Sequence, residues 1–183
     1  MSNPFVPDVD TLGNLKPISK VVFSLGSNQG NSAELLQSAI NALADTPDLI
    51  PVELSSVYVT KPVGSVQDQP DFLNLVLVAE TVIEPSILLD RAHAIEAGLG
   101  RTRDVPGGPR TIDIDLITFG RRTSDKPELV LPHPRAHERA FVLVPWLEID
   151  PDGELTGVGR IDELVKQVDV SGVVKSDEVV ELP

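Results

Sequence analysis

Apolar residues in this chain recur first at a spacing of two, then at the helical spacing, and the switches between the periods outline its elements. The β-branched run VVFSL at 21–25 ends at Gly26-Ser27-Asn28 and predicts a strand closed by a loop. Asn31 stands three residues before Glu34 as a capping pair would, and Leu35, Leu36, Ala39, Ile40 and Leu43 follow at helical spacing as far as Pro47. A first helix is expected there. Two stretches rich in Val, Leu and Thr, 49–60 and 72–83, read as strands, separated by the Pro- and Gly-containing loop 61–71. A hairpin connection of that length invites a functional explanation. Pro85, the apolar set Ile87, Leu88, Ala92 and Ile95, and Gly100 beyond them mark a second helix over 85–99. A Gly-Pro-Arg loop then leads into a strand over 111–119. The order βαββαβ predicts an α+β fold, a ferredoxin-like sandwich whose mainly antiparallel sheet has two helices packed on one face. Short helices are expected within 131–149 and over 161–168, and no internal repeat is visible. The expected division is an N-terminal arm at 1–19, one domain at 20–159, and a C-terminal extension at 160–183 with no assignable role.

Composition narrows the class. At 183 residues, 41% hydrophobic and 23% charged, the chain matches one globular domain with a core of its own. No apolar run approaches the roughly 18 residues of a spanning helix, so no membrane association is expected. The first nineteen residues lack a basic start followed by an apolar stretch, which argues against export and for a cytoplasmic location. The absence of cysteine excludes disulfides, thiolate metal sites and cysteine nucleophiles. A net charge of -13 argues against a general nucleic-acid binder. The charge is uneven, however. Between Arg101 and Arg139 seven arginines and Lys126 face six acidic residues, whereas the rest of the chain has seven basic and 22 acidic ones. Such a stretch suits a local anion, and arginines scattered on a solvated surface fit equally well.

The segment GPRTIDIDLI at 108–117 carries the clearest chemistry. Side chains on a strand alternate, so Asp113 and Asp115 share one face while Ile112, Ile114 and Leu116 point into a core. Neighbouring carboxylates repel unless a cation lies between them, and oxygen ligands of this kind suit magnesium. Two solvated aspartates on an amphipathic edge strand remain the other reading of that pattern alone. Arg110 adds a guanidinium fork for phosphate beside the same face.

Taken with three further segments, this one resembles the 6-hydroxymethyl-7,8-dihydropterin pyrophosphokinase family. SLGSNQGN at 24–31 is similar to the family's first strand and Gly-Ser-Asn turn. QDQPDFLN at 67–74 resembles its pterin loop, and LPHPRAHERAFVLVPW at 131–146 the segment after the metal strand. The resemblance covers about 21–150, and implies that 20–159 is a pyrophosphokinase domain. It implies ATP as co-substrate, two magnesium ions on Asp113 and Asp115, and a sandwich of the flat pterin between Phe72 and Phe141. It further implies a pterin pocket completed by Asn74, Thr60, Pro62 and Val63, and a basic pair, Arg101 and Arg103, acting with Arg110 in catalysis. Nucleotide contacts are implied for Arg110, Arg139, His133 and Glu96, although a solvated helix face accounts for Glu96 equally well. Core filling remains the ordinary fate of a phenylalanine, so the two rings are assigned by the motif.

The implied reaction is in-line displacement at the β-phosphorus of ATP by the pterin hydroxymethyl oxygen, with AMP leaving and no covalent enzyme intermediate. Loops 60–71 and 101–109 are the expected lids. The second departs from the family pattern: where another arginine and a tryptophan are common, this chain has Asp104, Val105, Pro106 and Gly107 in a stretch one residue shorter. Glu128 also stands where a basic nucleotide contact is common. The alternative these departures keep open is a degenerate pterin- or nucleotide-binding protein without catalysis. Small-molecule substrates, no nucleic acid and a monomer are expected.

Overall fold

β1 (Ser19–Ser27) runs through the middle of the sheet, paired antiparallel on one side with β4 (Phe72–Thr81) and on the other with β5 (Asp113–Phe119). The computed structural model describes residues 15–62, 68–100 and 112–183. Residues 1–14 of the expected arm, Val63 and the whole of the 101–109 loop lie outside them. Between the central strands come α1 (Ser32–Ala44), β2 (Leu49–Leu54), β3 (Tyr58–Thr60) and α2 (Pro85–Gly98). Beyond β4 both β2 and β3 pair antiparallel with it, so the sheet has the expected ferredoxin-like order.

The local signals act as their chemistry requires. Asn31 Oδ1 accepts from the Glu34 amide at 3.3 Å and starts α1, whose Leu36, Ala39, Ile40 and Leu43 are fully buried. These pack with Phe23, Leu25, Leu75, Leu77 and the α2 residues Leu88, Ala92 and Ile95 into the larger core. Ile87, expected in that stripe, is instead 60% exposed, because the inward row of α2 runs through Pro85, Leu88, Ala92 and Ile95.

The expected strand over 49–60 is broken in two. The buried Ser55 intervenes, its backbone N–H donating to Val76 O at 2.9 Å while its hydroxyl accepts from the Val76 N–H at 2.9 Å. A side chain thus takes a place in the ladder that backbone would otherwise hold. Pro51 has no N–H to donate, and the β2–β4 register shifts between Pro51 and Glu53.

The other face of the sheet is covered too, which the βαββαβ order alone does not require. After the hairpin of β6 (Ser124–Lys126) and β7 (Leu129–Leu131) and a 3-10 turn at Ala136–Glu138, α3 (Ala140–Ile149) packs on β4 and β3. Then come the short pair β8 (Glu154–Leu155) and β9 (Gly159–Arg160), α4 (Ile161–Leu164), a 3-10 turn at Val165–Gln167, and β10 (Val174–Lys175). A second core forms from Val22, Val76, Val78, Val142, Leu143, Trp146, Leu155 and Ile161. Ile117 joins it through a register skip opposite Val22 and Phe23, which turns one extra β5 residue outward. Trp146 Nε1 donates to Asp150 Oδ2 at 2.9 Å, and Lys20 Nζ sits 2.7 Å from the same oxygen, tying α3 to β1.

Candidate active site

The second face of the sheet is where the chemistry collects. Ile112, Ile114 and Leu116 are all buried in the larger core, so β5 directs Asp113 and Asp115 to the opposite, α3 side, where both are half-buried. In register, Asp113 lies opposite Gly26 and Asp115 opposite Ser24. Gly26 is in turn opposite Asn74 on β4, and Asn74 opposite Tyr58 on β3. Residues from four adjacent strands therefore share this surface.

Asn74, 4% exposed, is held there by its neighbours. Its Nδ2 donates to Thr60 Oγ1 at 2.7 Å, and its Oδ1 occupies the space a β-carbon at Gly26 would need, 2.9 Å from that position. The Gly-Ser-Asn turn thus serves the site directly. Asn28, 2% exposed, donates through Nδ2 to Gln69 Oε1 at 3.1 Å and to Pro70 O at 3.2 Å, joining the end of β1 to the loop before Phe72. Reading the motif residue by residue passes over Gly26 and Asn28. The signal that could have found them is their place in the turn that closes β1, next to the strand bearing the carboxylates.

Arg139 precedes α3 and connects two parts of the surface. Its Nη1 donates to Asp115 Oδ2 at 3.4 Å, and its guanidinium carbon stands 5.5 Å from the centre of the Phe141 ring. A cation already faces one of the two carboxylates. Phe72, opposite Thr60 at the start of β4, and Phe141, in the first turn of α3, are both half-buried on this side of the sheet.

His133 follows β7, its backbone N–H donating to Ile117 O at 2.8 Å. Burial, together with the positive charge of Arg139 and Arg135, pushes the imidazole down to about 4, against the opposite pull of the Asp113 carboxylate. The ring is therefore neutral near pH 7. Its Nδ1 accepts from the Arg135 amide at 3.2 Å, which leaves the ring proton on Nε2 as a donor. α3 is fastened to β3 at its far end. Tyr58 Oη donates to Glu148 Oε1 at 2.7 Å, and the Ser56 amide and hydroxyl donate to the same carboxylate at 3.1 and 2.9 Å. Burial and these bonds to Glu148 push Tyr58 up to about 12. Burial also acts to raise Glu148, but the bonds from Tyr58 and Ser56 and the charge of Lys175 outweigh it and hold the carboxyl below its usual range.

The structure thus brings Asp113, Asp115, Arg139, His133, Phe141, Phe72, Asn74 and Thr60 to one side of the sheet, with the half-buried Pro62 just beyond β3. Glu96 differs: it is 2% exposed on α2, in the layer on the other face, and is not on a solvated helix surface. Arg101, Arg103, Arg110 and Val63 lie outside the described residues. Glu128 is exposed in the turn between β6 and β7. The donor set suits magnesium: two adjacent carboxylates on one face supply hard oxygen ligands, and one of them already attracts a cation.

Known proteins resemble this chain over most of its length. The profile of the family described as 7,8-dihydro-6-hydroxymethylpterin-pyrophosphokinase (HPPK) matches residues 22–151. A 2-amino-4-hydroxy-6-hydroxymethyldihydropteridine pyrophosphokinase of Pseudomonas aeruginosa is 38% identical over 156 residues, covering 85% of this chain and 96% of that protein. Proteins of the same name from Methylorubrum extorquens and Mycobacterium leprae are each 42% identical, over 157 and 166 residues. The first of these matches covers 85% of this chain and 98% of the relative, the second 83% and 84%. Among solved structures, a Plasmodium falciparum HPPK-DHPS triple mutant with pteroate superposes with a TM-score of 0.66 at 17% identity, which speaks to the fold. The match covers 85% of this chain, which spans only 44% of that longer one.

Proposed function

This chain belongs to the 7,8-dihydro-6-hydroxymethylpterin-pyrophosphokinase family, and on that premise we infer that it transfers pyrophosphate from ATP to 6-hydroxymethyl-7,8-dihydropterin in folate biosynthesis. The observation that carries this reading is the joining, on one sheet face, of the Asp113–Asp115 pair with the Asn74–Thr60 pair. One pair suits a metal-bound polyphosphate and the other the amide-like edge of a pterin. Phe72 and Phe141 supply flat apolar faces for the ring, with Pro62 and Val63 as further wall.

In this reaction the hydroxymethyl oxygen gives up its proton to water and forms a bond to the β-phosphorus, the bond from that phosphorus to the α,β-bridging oxygen breaks, and AMP leaves with that oxygen. Asp113 and Asp115 would hold magnesium, two ions in this reading, and the chemistry so supplied would be neutralisation of charge on the phosphates. Arg139, beside Asp115, is placed to accept phosphate charge, and His133 offers Nε2–H as a neutral donor that adds no further positive charge. Arg101, Arg103 and Arg110 are assigned to the developing charge on the transferred group, and Glu96 to the nucleotide side. Catalysis of this kind is positioning and electrostatics, with no protein nucleophile. A monomer in the cytoplasm completes the reading; no helix among the described residues is long and apolar enough to cross a membrane.

The test is AMP formation from ATP and magnesium with the pterin alcohol, in the intact protein and in Asp115→Ala. Pterin-dependent AMP that collapses in the variant supports both the reaction and the metal pair. If the pterin binds and no AMP forms, the chain is a binding protein without catalysis.

A further inference from the structure

The last residues of the chain wrap around an edge of the sheet that feeds the pterin pocket. β3 is only three residues long and pairs through Tyr58, Val59 and Thr60 with β4. Its outer edge is covered by β10, with Val174 opposite Val59 and Lys175 opposite Tyr58, and the Ser176 amide donates to Val57 O at 2.8 Å. The chain then passes from the α3 side to the α1 side. There Val180 is 8% exposed within the larger core, and Gln37 on α1 grips the Glu181 backbone from both ends of its carboxamide. Gln37 Nε2 donates to Glu181 O at 2.8 Å, and the Glu181 amide donates to Gln37 Oε1 at 3.0 Å.

We propose that residues 174–182 are a strap that sets the position of β3, making Gln37 and Val180 positioning residues for pterin binding although neither lies on the site face. A three-residue strand with one partner is weakly ordered, and an unpaired edge costs it the hydrogen bonds that define its place. β3 carries Thr60, which fixes the Asn74 carboxamide, and leads directly into Pro62. The strap supplies the second partner along β3 and anchors itself on α1 and in the larger core. The carboxylate strand β5 lies at the other side of the sheet, beyond β4 and β1, so the strap acts on one substrate and spares the other. This assignment depends on the pyrophosphokinase function.

Two variants of the full chain test it, Gln37→Leu, which keeps helix propensity while removing both clasp bonds, and Val180→Asp, which places a charge in the core seat. Amide hydrogen exchange at Ser176 reports whether the strap has lifted, independently of activity. With the strap lifted, the KM for the pterin is expected to rise about fivefold to tenfold while kcat and the KM for ATP stay within about twofold. Faster Ser176 exchange with an unchanged pterin KM overturns the proposal, and so does an equal rise in both KM values. Unaltered exchange in both variants also overturns it, because the clasp and the Val180 seat would then not hold the strap. A wild-type protein that forms no AMP would instead refute the function itself.

Discussion

Asn74 Oδ1 lies over Gly26, 2.9 Å from where a β-carbon on that glycine would stand, and the same carboxamide donates to Thr60 at 2.7 Å. A side chain at position 26 would therefore act on the pterin pocket through Asn74. Gly26→Ala is expected to raise the pterin KM about tenfold, equivalent to roughly 1.4 kcal/mol, with a smaller change in the KM for ATP. Steady-state kinetics with each substrate varied in turn would show it; an unchanged pterin KM means that the amide's orientation does not matter for binding.

Arg139 touches both Asp115 and the Phe141 ring. Lysine keeps the charge but loses the planar fork that makes both contacts. Arg139→Lys should lower kcat/KM for ATP by about tenfold or more, the scale of one hydrogen bond to a charged group. Full activity in this variant would remove Arg139 from the phosphate-binding set.

The Tyr58–Glu148 bond predicts a pH signature in stability. The folded pKa of Tyr58 is raised from 10.0 to about 12, so its contribution is complete below pH 10 and is lost as pH rises toward 12. Glu148 is lowered from 4.5, so its contribution is present above that value and lost as pH falls through the lowered one. Unfolding free energies of the wild type and Tyr58→Phe from urea titrations should differ by about 1 kcal/mol on the plateau between those limits, narrowing outside them. A difference that stays constant from acid to alkali would assign the loss to packing.

A β-carbon at Gly153 would meet Trp146 and Ile161 at 2.9 Å, inside the second core. Gly153→Ala should destabilise the fold by about 1–3 kcal/mol through overpacking. Thermal melting would report it, while kcat/KM at low temperature stays near the wild-type value, because Trp146 and Ile161, although on the same side of the sheet as Asp113, are not among the residues assigned to either substrate. No change in the melting temperature would mean that the loop carrying Gly153 shifts freely.

The elements with strong local signals were legible from the chain alone. Asn31 and Glu34 announced α1, Pro85 announced α2, and the alternation of Ile112, Asp113, Ile114 and Asp115 announced which way two carboxylates would face. Where a long-range partner overrode the local pattern, the reading was incomplete. Ser55 splits an apparently continuous strand because its hydroxyl bonds to Val76, and Ile87 is exposed because the inward row of α2 is set by the sheet beneath it.

What the amino-acid sequence determined by itself was therefore periodic and local: the order of strands and helices, the face of each strand, and the motifs that carry the family's chemistry. The tertiary structure decided which faces meet. It seated Asn74 on Gly26, set Arg139 between Asp115 and Phe141, laid α3 over the face that the first two helices leave open, and returned the C-terminal strap to Gln37. Backbone periodicity is fixed within a few residues along the chain, whereas these contacts join residues up to 144 positions apart and exist only once the whole sheet is formed.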